Sequence, residues 1–96
     1  MDSFNLDMEI FNKATAAEIV DYIIETLKEN QRVIREVRGK YIMRELHGDL
    51  TTRDLGNFYR AKAVISEIAY RFNRNPRFIR KAEYARKEYS RLEKLQ

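Results

Sequence analysis

Ninety-six residues, 44% apolar and 35% charged, make one domain with a modest core, because a chain of this length buries only roughly two thirds of its unfolded surface. The absence of cysteine excludes a disulfide framework, a thiolate zinc site and a cysteine nucleophile. No apolar run reaches the length of a membrane span, and the acids among the first nine residues do not suit a secretory signal, so the expectation is a soluble, cytoplasmic chain without membrane attachment.

Three glycines and one proline favour helices. Charge is divided along the chain: the first 29 residues hold seven acids and two bases, net minus five, which leaves plus nine for the remainder to reach the total of plus four. An acidic start and a basic finish suggest a polyanionic partner at the basic end. The same asymmetry suits head-to-tail pairing of copies, or folding of one end against the other.

Phe4, Leu6, Met8 and Ile10 alternate with Asn5, Asp7 and Glu9, the period of a half-buried strand. A strand followed by two helices is compatible with the ribbon-helix-helix repressors, whose outward strand residues read base edges. Here those residues are Ser3, Asn5, Asp7 and Glu9, and two carboxylates facing phosphate argue against it. An apolar arm over residues 1–14, extended or helical and clipped over the helices, is the plainer expectation.

Thr15-Ala16-Ala17-Glu18 is a capping box that opens the first helix. Its apolar stripe runs through Ala16, Val20, Ile23, Ile24 and Leu27 and resumes at Ile34, Val37, Tyr41 and Leu46. The expected span is 15–47, with Asn30 on the seam as a weak point where the helix bends or breaks. Gly39 costs about 1 kcal/mol relative to Ala there, and suggests close approach of a neighbouring helix. Gly48 is a natural stop. Thr51-Thr52-Arg53-Asp54 opens a helix over 51–72, with Gly56 loosening its first turn and a stripe through Leu55, Phe58, Ala61, Ile65, Ile68, Ala69 and Phe72. Asn75 as cap and Pro76 at the first helical position start the last helix, 76–95. Phe78, Ala82, Ala85, Tyr89 and Leu92 form its seam. The expected fold is therefore all-α, an antiparallel three- or four-helix bundle with a short strand-like N-terminal arm and a homodimer as its natural assembly, in a single domain over 1–96.

Residues 74–96 hold eight of the nineteen bases against three Glu. Within them, residues 65–84 resemble a helix-turn-helix. Ile68 and Ala69 stand in the first helix, Asn73 stands at a turn position that tolerates positive φ, and Ile79 and Ala82 fall where the second helix leans back on the first. The resemblance implies Arg77, Arg80, Lys81 and Tyr84 toward a DNA groove, with Arg74 near phosphate. Helices of about twenty residues joined by a tight turn equally describe a bundle hairpin. Without that geometry, Arg80, Lys81, Arg86, Lys87 and Arg91, interleaved with Tyr84 and Tyr89, could track a duplex backbone or stack on single-stranded RNA. Part of this charge is balanced within the helix, since Glu83 stands four residues before Lys87.

No catalytic constellation accompanies these bases. His47, the only histidine, stands beside Gly48 at a helix end, where the helix dipole is its natural partner. Serines without a nearby base, no Gly-rich phosphate loop and no Glu-x-x-His pair leave no cofactor or metal to expect. The leading reading is a small non-enzymatic nucleic-acid-binding or regulatory protein whose partner is DNA or RNA. The alternative is an adaptor or inhibitor that binds a partner protein through aromatic and charged helix faces, for which six Tyr and five Phe provide material.

Overall fold

The computed structural model describes residues 15–95; the expected arm 1–14 lies outside them, as does the side chain of His47. The described residues are all-helical. Four helices follow one another, α1 (Ala16–Ile42), α2 (Arg44–His47), α3 (Thr52–Asn73) and α4 (Pro76–Glu93), and they pack against each other with α3 in the middle.

The helix starts follow from local chemistry. Thr15 accepts the Glu18 amide and Glu18 reaches back to Thr15, so the capping box closes in both directions. Thr51 and Asp54 do the same for α3. Asn75 accepts the Arg77 amide at 3.0 Å, and Pro76 occupies the first position of α4. These contacts satisfy amides that a helix start leaves without partners, each worth typically about 1 kcal/mol.

α1 runs unbroken through Asn30. The amide Nδ2 of Asn30 donates to the Thr26 carbonyl at 2.7 Å, one turn back, and the Thr26 hydroxyl donates likewise to Tyr22. The interruption comes at Met43, whose amide still reaches the Gly39 carbonyl before the short α2 begins. Gly39 is exposed, and a methyl built on it meets nothing within 4 Å, so the close helix approach expected from this glycine is absent among the described residues. Gly48, with φ of 84°, ends α2 in the left-handed region that glycine adopts without steric cost.

α3 divides its surface between two neighbours. Val64 and Ile68 meet Ile23 of α1, with Ile19, Tyr22 and Leu27 around them. Ala63 meets Ala85 of α4, flanked by Tyr59 and Tyr89. In both pairs the contacts run in opposite directions along the chain: Ile23 sits against Ile68 while Lys40 bonds Asp54, and Glu67 pairs with Arg86 while Tyr59 meets Tyr84. Small side chains dominate the α3–α4 contact, with Ala63, Ala82 and Ala85 at or below 2% exposure. They let the backbones approach closely, and Leu92 closes the far end.

The stripe expected on α1 is buried only in part. Ile23 and Val37 are covered, but Val20, Ile24, Tyr41 and Leu46 are exposed, because α3 meets only one edge of that broad apolar face. The turn residue also differs from expectation. Asn73 is the last residue of α3, and Arg74 carries the positive φ, at 61°, with its amide donating to Tyr70 at 2.8 Å.

Candidate nucleic-acid interface

α1 and α4 lie on separate sides of α3 and share no extensive contact, so a third face of α3 is left open between them. Phe58, Lys62, Ile65 and Ala69 stand at steps of four, three and four along that face. Ile34 of α1 and Arg77, Phe78, Arg80, Lys81, Tyr84 and Ala85 of α4 complete a groove of about 720 Å³.

Four of the expected site residues thus share one concave surface: Arg77, Arg80, Lys81 and Tyr84. Lys62, which the sequence reading did not single out, joins them from α3. The floor between these cations is aromatic. Lys62 Nζ stands 5.5 Å from the Phe58 ring centre, and the Arg77 guanidinium stands 4.7 Å from that of Phe78. Tyr59 meets Phe58 edge-on at 5.4 Å and Tyr84 edge-on at 6.2 Å. Burial, followed by the neighbouring Tyr84 and Glu88, pushes the Tyr59 hydroxyl above the ordinary tyrosine range, so it remains protonated and able to donate at neutral pH. Tyr84 keeps 59% of its surface exposed and offers a ring at the mouth of the groove.

The remaining expected residues lie elsewhere. Arg74 and Arg86 line a shallower pocket with Glu67, Tyr70 and Glu83. Arg86 is held there by an ion pair to Glu67 across the α3–α4 contact, and Arg74 stacks over Tyr70 at 5.4 Å. Lys87 and Arg91 continue the stripe of Arg80 and Tyr84 at steps of three and four toward the end of α4. Arg91 is bonded to Glu88 at 2.9 Å, an interaction that raises its affinity for its proton. One basic helix therefore presents two chemically different faces.

Phe58, Ile65 and Ala69, expected in the one buried stripe of α3, instead line the groove; Lys62 falls among them at helical spacing, which is the signal that could have found it. Among the described residues, no three His, Cys, Asp or Glu side chains gather as a metal ion would require, and no helix is long and apolar enough to cross a membrane. No family model, curated protein or solved structure matches this chain.

Proposed function

We propose that this chain is a small non-enzymatic nucleic-acid-binding or regulatory protein, and that its ligand is a single strand of RNA or DNA held in the groove between α1, α3 and α4. One observation carries the reading: four cations, Lys62, Arg77, Arg80 and Lys81, share a concave surface with the rings of Phe58, Tyr59, Phe78 and Tyr84. Cations neutralise phosphates, and exposed rings stack on bases at about 1–3 kcal/mol per base without reading sequence. The helix-turn-helix alternative over 65–84 sends the second helix into a duplex major groove. Long helices that pack lengthwise, 22 residues against 18, favour the single-strand groove instead. Arg86 then serves α3 rather than the ligand, while Lys87 and Arg91 extend the path of the strand beyond Tyr84. Cytoplasmic residence and an antiparallel bundle completed as a homodimer belong to the same proposal.

A titration of labelled single strands at two salt concentrations tests it. Four phosphate contacts give a slope of about −3 in log affinity against log salt, and changing both Arg80 and Lys81 to Ala lowers its magnitude by about 1.4. Tyr84→Ala weakens binding by about 5- to 150-fold with little change of slope, as loss of one stacking ring requires. Absent or salt-independent binding overturns the reading. The second reading, an adaptor or inhibitor of a partner protein, is favoured by Phe72, exposed to 71% close to the turn between α3 and α4. It predicts capture of one specific protein that survives nuclease treatment and is lost with Tyr84→Ala or Tyr89→Ala.

A further inference from the structure

We propose that α1 pairs antiparallel with α1 of a second copy, across a two-fold axis that passes beside Gln31. This gives the homodimer of the proposed function its surface and does not depend on the nucleic-acid ligand.

The first observation is spacing. Ile23 and Val37 bury one side of α1. About a quarter turn round from them a second stripe runs through Val20, Ile24, Gln31, Arg38 and Ile42, at steps of four, seven, seven and four. All five are exposed, Val20 to 53%, Ile24 to 42% and Ile42 to 77%. These steps read the same from either end. An antiparallel copy centred on Gln31 therefore sets Val20 against Ile42, Ile24 against Arg38, and Gln31 against itself. A side-chain amide both donates and accepts, so two glutamines on a two-fold axis satisfy each other, as a seam amide does when it fixes the register of paired helices.

The second observation is charge. Over residues 16–28, α1 holds Glu18, Asp21 and Glu25 against Lys28, net minus two. Over residues 35–42 it holds Arg35, Arg38 and Lys40 against Glu36, net plus two. An antiparallel copy lays the acidic half of one helix on the basic half of the other, whereas a parallel copy sets like on like. In the antiparallel register the stem of Arg38 covers Ile24 of the other copy, and its guanidinium comes within about one turn of Asp21. Within one chain Asp21 and Arg38 stand about 26 Å apart along the helix, so they meet only between copies. A polyanion suits only the basic half of this stripe, and an unrelated helix gains nothing from its symmetry.

Sedimentation equilibrium of the full chain at micromolar concentrations tests the pairing, with circular dichroism verifying that each variant is helical. The proposal predicts a mass twice 11.6 kDa. Asp21→Arg and Arg38→Asp each weaken the dimer at least tenfold, and the two together restore it, because the reversed charges face each other again. Ile42→Glu weakens it at least tenfold as well. A monomer at every concentration, unchanged association in the single variants, or a double variant no tighter than the singles overturns the proposal. The absence of native cysteine allows the direction to be read separately. When Val20→Cys and Ile42→Cys chains are mixed and oxidised, the mixed disulfide forms at least tenfold faster than the one joining two Val20→Cys chains; the reverse order overturns the antiparallel register. A labelled-strand titration keeps the two readings apart. A monomeric chain that binds the strand overturns the pairing and leaves the nucleic-acid reading, and a dimer of the predicted kind that binds no strand does the opposite.

Discussion

Replacing Gly39 with Ala stabilises the fold, and the structure gives the size of the effect. Gly39 lies within α1, three residues before its last residue Ile42, and its carbonyl accepts the Met43 amide at 3.0 Å. Its φ is not positive, so an L side chain suits the backbone, and the added methyl meets no atom within 4 Å. Neither strain nor overlap therefore opposes the change. What remains is backbone entropy: Ala is favoured over Gly by about 1 kcal/mol in a helix interior, and fraying of the last turn trims this to about 0.5–1 kcal/mol. For a domain of this size that raises Tm by about 3–6 °C. In urea, followed by far-UV circular dichroism, the midpoint shifts upward by about 0.5 M with an unchanged slope. A midpoint that stays or falls refutes the reasoning. It would mean that another backbone packs against this face and that the glycine serves the close approach its sequence context suggests.

Other expectations follow from contacts already described. Arg74→Gly stabilises by about 0.5–1 kcal/mol in the same denaturation assay, since relief of the left-handed strain, about 1–2 kcal/mol, outweighs loss of an exposed stacking contact with Tyr70 worth about 0.5–1 kcal/mol. Ala63→Leu lowers stability by about 1–3 kcal/mol, because a side chain that is fully covered against Ala85 leaves no room for three more carbons. The Lys40 ammonium, and behind it the Thr51 cap, hold the Asp54 carboxyl below the ordinary aspartate range. That contribution is present above pH about 3.9 and is lost as pH falls through the lower folded value. Asp54→Asn therefore lowers stability at pH 7 and flattens its loss between pH 4 and 2. An unchanged acid profile would remove Asp54 from this role.

Helix starts were legible because they are local: Thr15 with Glu18, Thr51 with Asp54, and Asn75 before Pro76 act within four residues. The seam of α4 was legible for a related reason. That helix has one extensive neighbour, so Ala82, Ala85 and Leu92 repeat with the helical period. α1 was harder to read, because its apolar face is broader than the surface α3 presents to it. Periodicity marks Val20 and Ile24 as apolar-face residues, but which edge is covered depends on a helix some forty residues away. The groove required knowledge of two helices at once. Lys62 and Phe58 gain meaning only when the turn at Arg74 brings Arg77 and Lys81 opposite them.

The two-residue link between α3 and α4 also has a kinetic consequence. Contacts such as Glu67 to Arg86 and Ala63 to Ala85 close loops of about twenty residues, whereas Ile23 to Ile68 closes one more than twice as long. Short loops close faster and at lower entropic cost, so the N-terminal half of α1 docks last, whereas its other end, where Lys40 meets Asp54 across fourteen residues, closes early. The groove of Phe58, Lys62, Arg77 and Lys81 thus closes before Ile23 covers Val64 and Ile68 and completes the core.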